Sequence, residues 1–396
     1  MKSPPTQLGT LVNEVSTWNP SRDHQDKEFT YIDLGSIDQM TKAITGARKI
    51  SCGDAPSRAR QLVKPGDILV STVRPNLNGV AKISDALGDA TASTGFCVLR
   101  PQKDRLDSSY LFHWVKTRSF VGAMVKQATG ASYPAVSDKI IFASKLPLPP
   151  LLEQRRIAAI LDKADVLRAQ RRAAIAKLDE LQQSVFIEMF GDPVTNPRGW
   201  PETTSLGEVA EIISGITKGR KTAATTRDVA YMAVSNVQDR FLKLDVVKRI
   251  EATDDEIEKY RLQRGDLLLT EGGDPDKLGR GVLWRNEIAE CIHQNHVFRV
   301  RLTSDQLHPL YLNWYVGSER GKRYFLRQAK QTTGIASINM RQLRDLPLLI
   351  PPLELQQHFA RIAEKIEFQK QIMQRAAEKA ETLFASLQQC AFSGKL

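Results

Sequence analysis

The sequence predicts an α+β protein in which two similar α/β domains are joined by two long helices that pair as an antiparallel coiled coil, giving a pseudo-twofold internal repeat. Two observations lead to this prediction. The chain of 396 residues repeats itself with a spacing near 200 residues, and each repeat ends in a long segment without Gly or Pro. The predicted domains are residues 1–150 and 192–350, and the predicted helical regions are 151–191 and 351–396.

Five short stretches carry the repeat, in the same order in both halves. They are Leu8-Gly9 with Leu206-Gly207, Gly66-Asp67 with Gly265-Asp266, Tyr110-Leu111 with Tyr311-Leu312, Leu146-Pro147-Leu148 with Leu346-Pro347-Leu348, and Phe190-Gly191 with Phe392 and Gly394. The offset drifts only from 198 residues (Leu8 to Leu206) to 203 residues (Gly191 to Gly394). Chance would not keep such an order, so the halves are a tandem duplication.

The first part of each half contains short β-like runs bounded by Gly, Pro and Asn turns. These runs predict strands of a small α/β or α+β domain. They are residues 67–73 and 94–99 in the first half, and 266–270 and 297–302 in the second.

The second part of each half predicts a single long helix, over 152–190 and over 353–391. Both segments are rich in Ala, Leu, Glu, Gln, Lys and Arg, with prolines just before them and Gly191 or Gly394 after them. Apolar residues recur at two heptad positions, which favours a coiled coil over a helix lying on its own domain. In the first helix these are Ile157, Ala164, Leu178 and Val185, and Ile160, Leu167, Ala174 and Leu181; in the second, Phe359, Ile366, Met373, Ala380 and Leu387, and Ile362, Ala376, Leu383 and Cys390. Arg171 and Gln369 are predicted to interrupt these seams.

The positive charge is concentrated in the two predicted domains. The net charge of +11 divides into +6 for residues 1–151, +1 for the first helix, +3 for residues 192–352, 0 for the second helix and +1 for Lys395. Basic domains on nearly neutral helices favour a polyanionic partner such as DNA. The alternative is that both domains have unremarkable surfaces.

Arg, Lys, Asn and His in turns beside the predicted strands are the candidate DNA contacts, because these side chains bind base edges and phosphates. In the first half they are Arg58, Arg60, Arg74, Asn76 and Asn78. In the second half they are Lys218, Arg220, Lys221, Lys277, Arg280, His293 and Asn295. Surface loops of this composition are often only turns.

Motifs for catalysis are missing from the sequence. It contains no GxxxxGK[ST] phosphate loop and no GxGxxG after a strand. Asp192-Pro193 and Asn196-Pro197 lack the second proline and aromatic of an amino-methyltransferase loop, and His293 and His296 lack a third metal ligand. The four cysteines are scattered as packing residues, and no apolar run is long enough for a membrane span or signal core, so we expect a cytoplasmic, non-catalytic protein without a metal.

These features together resemble the specificity subunit of type I restriction-modification enzymes, over the whole chain. The most specific motifs are residues 147–157, PLPPLLEQRRI, and 346–357, LPLLIPPLELQQ. The paired Gly-Asp strands and residues 129–134, TGASYP, support the resemblance. The second half departs slightly, because Glu354-Leu355-Gln356 replaces Glu153-Gln154 and residues 333–336 lack Tyr-Pro.

The resemblance implies a non-enzymatic subunit that reads a bipartite DNA target, with one half-site per target-recognition domain and the helices setting the gap. It implies two DNA adenine methyltransferase subunits docked on 152–190 and 353–391, and restriction subunits that translocate DNA. S-adenosylmethionine, ATP and Mg²⁺ would belong to those partners. The alternatives are a specificity subunit for a related type II enzyme that fuses methylation and cleavage, a coiled-coil scaffold with protein-binding domains, and a stand-alone nuclease.

Overall fold

The computed structural model describes residues 4–23, 27–219, 223–274, 277–332 and 335–396. Its contacts divide the chain into two compact units. Unit 1 is Met1–Ile175 with Met373–Leu396, and unit 2 is Ala176–Ile372. Each unit therefore contains one globular domain together with part of both long helices, instead of leaving the helices as separate domains.

The described residues of unit 1 form two four-stranded sheets and one strand pair. The strands are β1 (Pro5–Gln7), β2 (Val12–Asn13), β3 (Glu28–Ile32), β4 (Arg48–Ser51), β5 (Ala59–Leu62), β6 (Ile68–Ser71), β7 (Val80–Lys82), β8 (Thr91–Ser93), β9 (Phe96–Pro101) and β10 (Lys145–Pro147). The sheets have the orders β2-β9-β6-β7 and β4-β3-β8-β5, and β1 pairs with β10. The helices are α1 (Pro20–Asp23), α2 (Ser108–Val115), α3 (Arg118–Gln127), α4 (Asp138–Phe142) and the start of α5 (Leu151–Phe190).

Unit 2 repeats this plan. Its strands are β11 (Thr204–Ser205), β12 (Ala210–Ser214), β13 (Arg227–Met232), β14 (Lys248–Ala252), β15 (Leu267–Thr270), β16 (Gly272–Gly273), β17 (Gly281–Leu283), β18 (Cys291–His293), β19 (Val297–Leu302), β20 (Lys330–Thr332), β21 (Ile335–Ser337) and β22 (Pro347–Leu348). The order β12-β19-β15-β17 matches β2-β9-β6-β7 strand for strand, beside sheets β14-β13-β18 and β16-β21-β20 and the pair β11-β22. The helices are α6 (Leu206–Val209), α7 (Asp254–Tyr260), α8 (Pro309–Val316), α9 (Glu319–Gln328), α10 (Met340–Arg344) and α11 (Leu353–Phe392), which continues into unit 1.

The repeated Gly-Asp motif has a structural role. Asp67 is buried; its carboxylate accepts a hydrogen bond from the Lys64 backbone N–H (2.8 Å) and pairs with the Arg100 guanidinium through Nε (3.0 Å) and Nη2 (2.7 Å). Asp266 likewise accepts from the Gln263 N–H (2.7 Å) and pairs with Arg301. A buried carboxylate needs such partners, because an unpaired charge in the interior is costly. The motif therefore fixes the turn before β6 or β15, and the internal repeat is confirmed by its structure as well as by its sequence.

The two long helices pair in antiparallel fashion within each unit. In unit 1, Arg156 donates to the Leu396 carbonyl (3.1 Å), whereas Arg171 lies 3.5 Å from the Ala376 carbonyl. Residue numbers therefore increase along α5 in the direction in which they decrease along α11. Unit 2 shows the same direction, since Gln182 donates to the Ala363 carbonyl (3.0 Å) and Lys370 meets Asp179 (2.5 Å).

One of the two predicted heptad positions in each helix is confirmed and the other is wrong. The positions containing Ile157 and Phe359 are buried or half-buried in the described residues, apart from exposed Arg171. Leu167 and Leu383, in contrast, are 50% and 69% exposed. The second buried row is instead Gln154, Leu161, Arg168, Ile175 and Gln182 in α5, and Gln356, Ala363, Lys370, Ala377, Phe384 and Ala391 in α11. Arg171 is the polar, exposed member of the confirmed position and interrupts that seam as predicted, whereas Gln369 is exposed at the other position and does not interrupt a seam.

The globular domains pack against the helices through aromatic cores. In unit 1, Tyr110 and Trp114 of α2 share a core with Leu161 and Phe384. In unit 2, Tyr311 and Trp314 of α8 pack with the rings of Phe186, Phe190 and Phe359. Burial of large aromatic surfaces supplies most of the attraction in such contacts. Each domain is thereby held in a defined orientation on its own helical segment.

Candidate nucleic-acid interface

Three loops of unit 1 converge, although they are far apart in sequence. They are loop A (33–47), loop B (72–79) and loop C (128–136). The Lys42 ammonium of loop A donates to the Asn78 carbonyl of loop B (2.6 Å). Loops B and C are joined by backbone hydrogen bonds from Arg74 N to the Pro134 carbonyl (2.7 Å) and from Val136 N to the Thr72 carbonyl (2.9 Å). The three loops therefore form one connected surface.

Arg74 is held in a defined direction on this surface. Its backbone is left-handed (φ 50°), a conformation that costs energy for a residue with a Cβ and persists only where the surroundings impose it. The guanidinium lies over the ring of Tyr133 in loop C, 4.7 Å from the ring centroid. Arg74 is exposed, so its donors remain available to solvent or a ligand. Asn76 is exposed as well, and Asn78, also left-handed (φ 47°), is half-buried.

Arg58 borders the same surface, whereas Arg60 is used internally. The Arg58 carbonyl accepts a hydrogen bond from Thr94 N (2.9 Å). The carbonyl of Gly95, which follows Thr94, accepts one from Thr72 N of loop B (3.0 Å). The Arg58 side chain is exposed. The Arg60 guanidinium donates to Asn19 Oδ1 (2.7 Å) and is half-buried, which suits a structural role better than a DNA contact.

Unit 2 builds the corresponding surface from the corresponding loops. In the described residues these are loop A′ (234–247), loop B′ (271–274 and 277–280) and loop C′ (330–332 and 335–338). Arg240 N donates to the Gly281 carbonyl (2.8 Å), and Arg280 donates to Gln238 Oε1 (3.1 Å). Ile338 N donates to the Glu271 carbonyl (2.9 Å), and β16 pairs with β21. Loops B′ and C′ are thus joined by a small sheet, whereas loops B and C of unit 1 are joined by a single β-bridge.

The other predicted residues of the second half differ in exposure and in their partners. Lys218 is exposed with its ammonium 5.3 Å from the Tyr231 ring centroid. Asn295 is half-buried in the turn beside it, where its N–H donates to the Ile216 carbonyl (3.0 Å). Lys277 is half-buried and forms an ion pair with Asp274. Arg220 and Lys221 lie outside the described residues.

The prediction that His293 contacts DNA is wrong. The side chain is fully buried, and its Nδ1 lies 2.7 Å from the Val297 carbonyl, which the neutral ring can reach as a donor. Burial lowers the pKa of His293 to about 4, so the ring is uncharged near neutral pH. Its neighbour His296 is exposed and lies 2.6 Å from a Glu271 carboxylate oxygen. Within the described ranges, no group of His, Cys, Asp or Glu side chains could hold a metal ion.

Two side chains that join the converging loops, Lys42 and Tyr133, were not among the candidates that the sequence identified. Lys42 is separated from loop B by more than thirty residues, and no local pattern brings them together. Tyr133 stands in the TGASYP segment that supports the family resemblance, but its position beside Arg74 depends on tertiary structure.

In the parts of the chain that the structure describes, no helix is long and apolar enough to cross a membrane.

Comparisons with known proteins agree with this architecture. The family model described as "Type I restriction modification DNA specificity domain" matches twice, over residues 23–177 and 197–382. The two matches cover most of both globular domains and much of both long helices.

Curated relatives resemble most of the chain. The type I restriction enzyme StySPI specificity subunit of Salmonella potsdam is 24% identical over 358 residues, which are 85% of this chain and 76% of the relative. The EcoKI specificity subunit of Escherichia coli K12 is 24% identical over 360 residues, with the same shares.

Solved structures share the fold. A chain from a study of complex assembly and conformational transition of the type I R-M system has a TM-score of 0.63 at 22% identity, covering 100% of this chain and 98% of that one. The type I restriction-modification S subunit from M. genitalium has a TM-score of 0.56 at 12% identity, covering 98% of this chain and 96% of its own.

Proposed function

Because this chain belongs to the specificity subunits of type I restriction-modification systems, we propose that it reads a bipartite DNA target, with one half-site for each globular domain. The observation that carries this proposal is the repeated surface of three converging loops, A to C in unit 1 and A′ to C′ in unit 2. Both surfaces stand beside sheets of the same strand order. Two similar but diverged surfaces suit two half-sites of different sequence.

Direct readout in unit 1 centres on Arg74. Its guanidinium is exposed, is oriented by Tyr133, and is flanked by Asn76. Arg pairs with the O6 and N7 atoms of guanine, and Asn pairs with the N6 and N7 atoms of adenine, in both cases through two hydrogen bonds. Arg58 is exposed and adds positive charge for backbone phosphates, whereas Lys42 holds loop A against loop B. Lys218 and Arg280 are the corresponding candidates in unit 2.

The paired helices would set the length of the unread gap. Each is a continuous helix of 40 residues, which corresponds to about 60 Å at 1.5 Å per residue. A coiled coil of fixed register is a suitable spacer, since its length changes only by whole residues and its seam resists slippage.

The outward faces of α5 and α11 are the proposed docking sites for two DNA adenine methyltransferase subunits. Leu167 and Leu383, which the predicted seams had placed inside, are strongly exposed instead. Exposed apolar side chains among mixed charges suit a protein interface. We include restriction subunits among the partners, assign S-adenosylmethionine, ATP and Mg²⁺ to those partners, and give this chain no catalytic step.

The experiment that tests the proposed function is methylation mapping. The chain would be expressed with its methyltransferase subunits in a host without other adenine methylation, and modified sites would be read genome-wide. The proposal expects two short half-sites separated by a gap of constant length. A methylated sequence without a gap, or no sequence preference, would contradict it. A partner that fuses methylation and cleavage would identify the related type II system, and a scaffold would show no DNA preference at all.

A further inference from the structure

Exposed apolar side chains of unit 1 are concentrated on the converging loops. Outside the two long helices, four large apolar side chains are strongly exposed among the described residues of this unit: Met40 (74%), Leu77 (40%), Val125 (44%) and Tyr133 (66%). Met40 lies on loop A, Leu77 on loop B and Tyr133 on loop C, whereas Val125 lies on α3. Exposed apolar surface forgoes the free energy that its burial would supply, so its recurrence on one surface indicates a contact.

Each of these three side chains is presented by an ordered turn. The Asp38 carboxylate accepts from Met40 N (3.0 Å) and Thr41 N (2.6 Å), which fixes the tip of loop A. Leu77 is the last residue of the 3₁₀ turn Pro75–Leu77, and its N–H donates to the Arg74 carbonyl (2.9 Å). Tyr133 lies against the Arg74 guanidinium.

Polar and charged groups separate the three apolar side chains. Asn76 and Asn78 flank Leu77 along the chain, Lys42 follows the tip of loop A, and Arg74 covers one side of Tyr133. The core of a protein–protein interface is depleted of charge and more continuously apolar. The major groove of DNA offers the matching pattern, because single thymine methyl groups stand there between hydrogen-bonding base edges and phosphates.

We propose that Met40, Leu77 and Tyr133 are apolar base contacts, and that at least one of them seats the 5-methyl group of a thymine in the major groove. This inference rests on the proposed DNA recognition and adds the chemistry of its target. The half-site read by unit 1 contains a thymine that is recognised through its methyl group. In unit 2, Phe241 is exposed on the corresponding loop A′.

The test uses the full chain assembled with its methyltransferase subunits and duplexes of the mapped target. Each thymine of the half-site read by unit 1 is replaced in turn by deoxyuridine, which removes only the methyl group. We expect at least one replacement to weaken binding by about threefold to tenfold, as burial of one methyl group predicts. One of the variants Met40→Ala, Leu77→Ala and Tyr133→Ala should lack the contact with the thymine methyl group. That variant should bind the thymine duplex and the deoxyuridine duplex with equal affinity.

Val125→Ala is the matched control, since it truncates an exposed apolar side chain of the same unit that lies on α3, outside loops A to C, although its carbonyl accepts a hydrogen bond from Ala128 N at the start of loop C. It should bind the thymine and deoxyuridine duplexes as the parent does. The inference is wrong if every deoxyuridine duplex binds like the thymine duplex, if the three variants bind like the parent, or if the half-site has no A·T pair. In all these cases the parent still prefers its target over random DNA. Loss of that preference would instead overturn the proposed function.

Discussion

Gln154 and Gln356 make the same three hydrogen bonds in the two halves of the chain. Gln154 Oε1 accepts from Asp107 N (2.9 Å), and its Nε2 donates to the carbonyls of Arg105 and Pro149 (both 2.9 Å). Gln356 Oε1 accepts from His308 N (2.8 Å), and its Nε2 donates to the carbonyls of Gln306 and Pro351 (3.0 and 2.8 Å). Both side chains are buried. Each glutamine therefore ties the first turn of a long helix to its globular domain.

Replacing either glutamine by alanine should destabilise its own unit. Gln154→Ala leaves three partly buried backbone groups without their partner, and each unsatisfied group costs up to about 1–3 kcal/mol, partly relieved by water. We expect a loss of about 2–4 kcal/mol in the free energy of unfolding, measured by urea titration of the full chain, and the same for Gln356→Ala. Gln183→Ala, at an exposed position of the same helix, is the control and should change it by less than about 0.5 kcal/mol. An equal effect of Gln154→Ala and the control would show that the contact is dispensable.

Acidification should weaken unit 2 through His293. Burial lowers the pKa of His293 to about 4, below the ordinary value of 6.5, so the unfolded chain binds the proton more readily than the folded chain. The stability that the neutral ring contributes is present above pH 6.5 and is lost as the pH falls toward 4, by roughly 2–3 kcal/mol. Urea unfolding at pH 7 and pH 5 should show a smaller pH difference in His293→Gln than in the parent. An unchanged difference would mean that another group is responsible.

Base recognition by Arg74 should depend on Tyr133. Arg74→Ala should lower the affinity for the cognate half-site by about 1–3 kcal/mol and affect random DNA much less. Tyr133→Ala should cause a smaller loss in the same direction, because the guanidinium loses its stacking partner, whereas Tyr133→Phe retains the ring and should bind nearly as the parent does. Equal losses on cognate and random DNA, measured by fluorescence anisotropy with the assembled complex, would make Arg74 a phosphate contact.

The length of the paired helices should determine the gap between half-sites. Seven residues inserted after Arg171 and seven after Ala376, which lie at the same level of the helix pair, lengthen both helices by about 10 Å and retain the seam. Since base pairs rise by about 3.4 Å, methylation mapping should show a gap about three base pairs longer. The control is an insertion into loop 192–203 after α5, which leaves both helices unchanged. A constant gap in the lengthened protein would show that the helices do not measure DNA.

The fold was largely predictable because its strongest signals are local. The segments without Gly and Pro predicted the ends of both long helices to within one residue. The sequence repeat predicted two domains of similar topology, and their main sheets have the same strand order. The heptad phase was half wrong because the second buried row contains Gln154, Arg168 and Gln182. These side chains are accommodated by partners that no hydropathy pattern reveals. Arg168, for example, lies over the Phe384 ring (4.1 Å) and pairs with Asp165 and Glu381.

The candidate site was less predictable because it depends on contacts between distant loops. Arg74 was identified as an exposed turn residue, and its surroundings are consistent with that interpretation. His293 was misassigned because a histidine beside Asn and Gln has the composition of a polar turn, although it ends a buried strand. Lys42 precedes loop B in the chain and Tyr133 follows it. Their contacts with Asn78 and Arg74 of loop B are visible only in the folded structure.

A domain exchange tests the central claim most directly. Residues 1–145 are replaced by the corresponding domain of another family member, the hybrid is expressed with its methyltransferase subunits, and its methylated sites are mapped. If each globular domain reads one half-site, the half-site of unit 1 changes while the other half-site and the gap stay as they were. A change in both half-sites, or in neither, would contradict the proposal that the two domains read DNA independently.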